Sequence, residues 1–185
     1  MLVSLQRRSS PPSESERDEL LQLLLACHAR IRTFVRLAEE VGLRRDLAAS
    51  DVSDACRRCV RYFEEALPLH VEDEERSLVP RLSHKDPALD ACLATMQAEH
   101  VEHIAGTAAL IAALHATARA PEDELGRQAL KRAAQSQVLA FDEHLGLEER
   151  EIFPWIEEHL TAAEQQAVIA ELRDRRQPGR ETAQG

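Results

Sequence analysis

Two stretches of the chain place a histidine four residues ahead of a pair of glutamates. Residues 70–80 read HVEDEERSLVP and residues 144–154 read HLGLEEREIFP, an imperfect repeat 74 residues apart. His70, Glu74, Glu75, Arg76 and Pro80 correspond to His144, Glu148, Glu149, Arg150 and Pro154. On an α-helix, positions i and i+4 share a face and lie roughly 6 Å apart along the axis. An imidazole nitrogen and a carboxylate oxygen of one helix can therefore meet the same metal ion. Two such units point to two ions held between two helices.

The elements that carry these units follow from the spacing of apolar residues and breakers. Hydrophobic residues make up 44% of the chain and aromatics only 3%, with Ala, Leu, Glu and Arg abundant, which favours helix over sheet. Helix 1 is predicted from about Ser15 to Val41, stopping at Gly42. Helix 2 starts near Asp51 or Ser53 and runs to about Leu82, with Pro68 as a kink. Pro87 suits the first turn of helix 3, which continues to about Arg119, and Pro121 opens helix 4, which reaches Pro154 and continues to about Leu160. Thr161 and Glu164 match a capping box for a last helix ending near Arg176. Long helices joined by short loops alternate in direction. The expected fold is all-α: an up-down-up-down four-helix bundle with an appended C-terminal helix. The expected divisions are a flexible start over 1–15, the bundle over 16–160, the C-terminal helix over 161–176 and a flexible tail over 177–185.

Helical rise sorts the eight histidines. Counting along each hairpin, His28, His70, His100 and His144 fall within about one turn of a common height. His103, three residues after His100, lies on nearly the same face. His115 and His159 lie 15 residues, roughly 22 Å, beyond a candidate ligand, and His84 falls in a loop. The candidate ligands are therefore His28, His70, Glu74, His100, His103, His144 and Glu148. A lone buried histidine is more often a hydrogen-bonded core residue, and a lone HxxxE arises by chance; the repeat and the shared height outweigh that reading.

Imidazoles and carboxylates without thiolate suit iron, manganese or zinc. A structural zinc site uses about four ligands and favours cysteine, whereas six or seven ligands with two carboxylates describe a dinuclear centre. Ferritin-like di-iron bundles use Glu-x-x-His, and none of these histidines has a glutamate three residues before it. Glu75 and Glu149 suit acceptors for ligand N–H groups, but at about 100° from Glu74 and Glu148 they equally suit surface pairs with Arg76 and Arg150. Leu67, Leu78, Phe141 and Ile152 read as core walling the site, and Phe63, Phe153 and Trp155 as packing. Cys56 and Cys59 read as small core hydrophobes, and Cys27, turned about 100° from His28, likewise.

Taken together, His28, His70-x-x-x-Glu74, His100 and His144-x-x-x-Glu148 on four successive helices resemble the hemerythrin-like (HHE cation-binding) family over roughly residues 18–160. The resemblance implies a non-haem di-iron centre (two Fe ions, with zinc or manganese as the lesser alternatives). In it the two carboxylates bridge and His28, His70, His100 and His144 are terminal ligands. Oxygen-carrying members use His-x-x-x-His on the third helix and His-x-x-x-x-Asp on the fourth. His100-x-x-His103 and Glu148 depart from this and bring the chain nearer the bacterial branch of iron-centre repair proteins and oxygen, nitric oxide or iron sensors. His103 is then either a fifth imidazole ligand or a support for the ligands.

The net charge of −10 argues against nucleic acid or anionic lipid as a partner. No apolar run approaches the roughly 18 residues of a membrane span, and four scattered cysteines do not make a secreted disulfide scaffold. A cytoplasmic location is expected. The expected function is binding or sensing of O2 or NO, or handling of iron, rather than turnover. The alternatives are a di-iron role in iron-centre repair or in peroxide or NO detoxification, and a metal-stabilised regulatory module that binds a protein partner through its last helix.

Overall fold

The computed structural model describes residues 14–177, and all regular structure among them is helical. The expectations for the two flexible ends fall almost wholly outside these residues. Four helical runs form the bundle. The first is α1 (Glu14–Leu43). The second comprises α2 (Ala49–Arg61), α3 (Leu67–Asp73) and α4 (Val79–Leu82), joined by π-helical segments π1 (Tyr62–Ala66) and π2 (Glu74–Leu78). The third is α5 (Pro87–Arg119), and the fourth comprises α6 (Glu124–Leu147), π3 (Glu148–Ile152) and α7 (Phe153–His159). Helix α8 (Ala162–Arg175) follows.

The runs alternate in direction. Phe34 stacks on Tyr62 while His28 meets His70, so α1 and the second run are antiparallel. Ser53 bonds to Ala118 while Glu75 bonds to His100, and Thr107 bonds to Gln137 while Glu99 bonds to His144. The ring closes where α1 packs along α6. The up-down-up-down order follows from these pairs.

Local chemistry sets the ends. Asp86 accepts from Ala88 N at 2.7 Å, with Pro87 in the first turn of α5. Asp123 caps α6, so Pro121 lies in the preceding turn rather than opening the helix as expected. Thr161 and Glu164 form the expected capping box. Gly42 does not stop α1, which continues to Leu43; a Cβ there would lie 2.7 Å from the backbone of Lys131, so glycine permits the close approach of α1 to α6.

The three π segments share one cause. Each ends two residues before a proline: Pro68, Pro80 and Pro154. Proline has no N–H, and its ring crowds the carbonyl four residues back. In each segment the residue just before proline instead donates five residues back: Leu67 to Tyr62, Val79 to Glu74 and Phe153 to Glu148. The expected kink at Pro68 is thus one of three π turns.

Two apolar cores stack along the bundle. One gathers Ile31, Val35, Phe63, Leu114, Leu130 and Phe141; the other gathers Leu20, Leu24, Leu78, Met96, Ile152 and Val168. Between them His28, His70, Glu74, His100, His144 and Glu148 form a buried polar layer. Helix α5 corrects one sequence reading: residues 103–118 hold no Asp, Glu, Lys or Arg, and α5 has the length and composition of a membrane span. It nevertheless packs against α2 and α6 and contributes His100 to the buried layer.

Candidate metal centre

Two quartets of side chains converge in the polar layer. His28, His70, Glu74 and Glu148 form one; Glu74, His100, His144 and Glu148 form the other. Within each, the potential ligand atoms lie within 4.8 Å of one another. Each carboxylate sends one oxygen to each quartet. Glu74 Oε1 is 3.2 Å from His70 Nε2 and its Oε2 is 3.3 Å from His100 Nε2. Glu148 Oε2 is 3.0 Å from His28 Nε2 and its Oε1 is 2.9 Å from His144 Nε2.

Three imidazoles are held from behind by outer carboxylates. His28 Nδ1 lies 2.8 Å from Glu149 Oε1, His100 Nδ1 3.1 Å from Glu75 Oε1, and His144 Nδ1 2.7 Å from Glu99 Oε2. With the Nδ1–H donated outward, a neutral ring aims its Nε2 lone pair inward at carboxylate oxygens. Acceptors then face acceptors. His28 Nε2, His70 Nε2, His100 Nε2 and all four oxygens of Glu74 and Glu148 are buried without a hydrogen-bond partner. Such groups are costly to bury unless a cation lies between them. A donor set of imidazole nitrogens and bridging carboxylate oxygens suits a pair of metal ions.

The titration of the layer carries the same message. Burial pulls the imidazole pKa of His28 down, but Glu148 and Glu74 outweigh it and raise His28 to about 10. His144, with burial again opposed by Glu148 and Glu99, rises to about 9. His70 and His100 are also raised, and Glu74, though burial opposes it, is held below the usual carboxylate range by the surrounding histidines. The layer demands positive charge, from protons or from metal.

The sequence reading expected Glu75 and Glu149 to be either acceptors for the ligands or surface partners of Arg76 and Arg150. The structure makes them acceptors. Arg76 reaches Glu72 at 3.7 Å, and the arginine on Glu149 is Arg32, at 2.7 Å. Glu99 was missed; its signal was its place one residue before His100 on a helix facing His144. Cys27 is half-buried rather than core. Burial raises its thiol pKa, but His70 and Arg30 bring it below the ordinary value. Cys56 and Cys59 are buried as expected, and burial raises their thiols to about 11 and about 12.

His103 lies outside both quartets. Its ring packs 5.0 Å from His144 and 5.5 Å from Phe141, and burial together with the charge of His144 lowers its pKa. His115 pairs with Glu64 at 3.2 Å, His159 stacks 4.7 Å from Trp155, and His84 is an exposed loop residue. None of these three is near the layer. Leu67, Leu78, Phe141 and Ile152 are buried around it, and Phe153 packs 5.0 Å from His28.

Fold and site together define a helical metal-binding protein whose candidate cation sites share two buried carboxylates. The family model for the hemerythrin HHE cation binding domain matches residues 19–156, and the chain belongs to this family. It is also similar to an uncharacterized protein of Haemophilus influenzae (strain ATCC 51907 / DSM 11121 / KW20 / Rd), 24% identical over 134 residues, which cover 71% of this chain and 76% of that protein. No solved structure matches the chain significantly.

Proposed function

We propose that the protein holds two iron ions, one in each quartet, and uses them to bind or sense O2 or NO or to handle iron. The observation that carries this reading is the division of Glu74 and Glu148, each of which gives one oxygen to each quartet. His28 and His70 then serve one ion, and His100 and His144 the other. Iron is preferred over zinc because the donors are nitrogen and oxygen with two bridging carboxylates. Two imidazoles and two carboxylate oxygens leave an octahedral ion short of donors, so the bound metal would supply exchangeable positions for a small ligand.

The chain's own part is to orient and to cover. Glu149, Glu75 and Glu99 fix three ring orientations and, with a metal bound, would leave each Nε2 free to ligate it. The two apolar cores cover the layer on its two sides along the bundle. Four thiols, all free among the described residues, suit the reducing cytosol we propose as its compartment. Elemental analysis, with optical spectra before and after O2 and NO, tests the reading. Two irons per chain and a spectrum that responds to either gas are expected; one zinc and no iron would overturn it.

A further inference from the structure

The two halves of the polar layer are built alike from the two halves of the chain. His28 corresponds to His100, and His70, Glu74 and Glu75 correspond to His144, Glu148 and Glu149. The outer contacts follow the same exchange. Glu149 backs His28 at 2.8 Å, and Glu75 backs His100 at 3.1 Å. Glu99, one residue before His100, backs His144 at 2.7 Å. By the same exchange the residue before His28 belongs behind His70. That residue is Cys27.

The surroundings of Cys27 agree with the position the repeat gives it. Its thiol lies beside the His70 imidazole and interacts with it. His70 Nε2 faces inward, 3.2 Å from Glu74 Oε1, the ring's one ion pair among the described residues. Its Nδ1 is buried without a hydrogen-bond partner of ordinary geometry, in a residue only 3% exposed. A buried N–H without a good acceptor is costly, and a thiol sulfur is a weak acceptor. Arg30 Nη2 donates to the same sulfur at 3.5 Å, and the Arg176 guanidinium reaches it as well. Both compete with His70 for it. His70 is therefore the least firmly held of the four rings.

On the dinuclear reading, we infer that Cys27 is the positioning residue of His70, standing where the other half of the layer has a carboxylate, and that it makes the His28/His70 cation position the weaker of the two. A carboxylate behind an imidazole fixes the ring and raises its basicity towards a metal, and a thiol does so less. Both rings of the His100/His144 position are backed by carboxylates. The His28/His70 position has one such ring, and its carboxylate, Glu149, also serves Arg32 at 2.7 Å. The difference leaves one ion that is kept and one that can be given up, which favours iron handling among the proposed roles.

The test is stepwise removal of iron from the fully loaded protein by a chelator of known strength, with iron counted per chain at each point. Wild type is expected to release its two irons in two steps about tenfold or more apart. Cys27→Glu gives His70 the support that Glu99 gives His144 and tightens the weaker step about tenfold or more. Cys27→Val keeps the volume without an acceptor and loosens that step about tenfold, and both variants leave the tighter step nearly unchanged. Cys92→Ala, which removes a half-buried thiol packed on the second apolar core, changes neither step. A packing role for Cys27 would give the opposite order, with valine harmless and glutamate harmful. Release of both irons in one step, wild-type affinities in Cys27→Val, or a Cys27→Glu protein no tighter than wild type would each overturn the inference. Circular dichroism checks the helical fold of each variant, and Cys27→Val decides alone if Cys27→Glu does not fold. A wild-type protein that never holds two irons sinks the dinuclear reading instead.

Discussion

Glu149 Oε1 lies 2.8 Å from His28 Nδ1, on the opposite edge of the ring from Glu148, whose Oε2 is 3.0 Å from Nε2. Two consecutive glutamates of one helix thus hold both nitrogens of a histidine on another. Glu74 and Glu75 hold His100 in the same way, at 3.3 and 3.1 Å. On the proposed dinuclear reading, the repeated Glu-Glu supplies one metal ligand and one support for a ligand histidine. Both pairs open a π segment, whose wider turn narrows the 100° step of an α-helix.

Loss of a support should weaken metal binding without abolishing it. Glu149→Gln is expected to lower iron affinity about 10–100-fold, as losses of such outer partners typically do. Competition with a chelator of known strength measures this. Unchanged affinity would show that the His28 orientation is fixed by packing alone.

Because Glu74 and Glu148 are shared, removing one should affect both ions. Glu148→Ala is expected to fall from two irons per chain to fewer than one. His84→Ala, His115→Ala and His159→Ala should keep two, since their rings lie away from the layer. His103→Ala should also keep two, as it stands outside both quartets; loss of one iron there would make His103 a ligand.

Removing the metal should make stability depend on alkaline pH. In the metal-free fold His28 and His144 keep their protons up to about 10 and about 9, whereas in the unfolded chain they lose them near 6.5. Their contribution is complete below about pH 6.5 and falls away as pH rises through 9 to 10. Thermal melts of chelated protein should show Tm falling across that window, and the iron-loaded protein should not follow it. Iron uptake at neutral pH should also release protons, measurable in weak buffer. A chelated protein whose Tm is flat from pH 6.5 to 10 would contradict the raised values.

A separate contact fastens α8 beside the layer. Asp73, fully buried, receives Arg175 at 2.7 Å and Arg176 at 2.6 Å, and it immediately precedes Glu74. Asp73→Ala leaves Arg175, itself mostly buried, without this partner. Such losses cost about 3 kcal/mol, on the order of 5–10 °C in Tm for a chain of this length. A shift under 2 °C would mean that solvent replaces the carboxylate.

The sequence by itself determined the helices, their number and the level at which histidines meet. These depend on local spacing: apolar periodicity, Pro87, the Thr161–Glu164 box, and a rise per residue that brings His28, His70, His100 and His144 together. It also determined the family, because HxxxE twice over is a local pattern. Other features were decided only by packing. Pro80 and Pro154 were legible as closing residues, but the π turns they induce swing Glu75 and Glu149 inward, and a periodicity of 3.6 cannot express that. Arg32 rather than Arg150 reaches Glu149 because partners 117 residues apart in sequence are chosen by the α1–α6 contact. Glu99 beside His144 and Cys27 beside His70 arise the same way. Each depends on the rotation of one helix about its axis relative to its neighbour, a quantity set by the whole set of interlocking side chains and carried by no single segment.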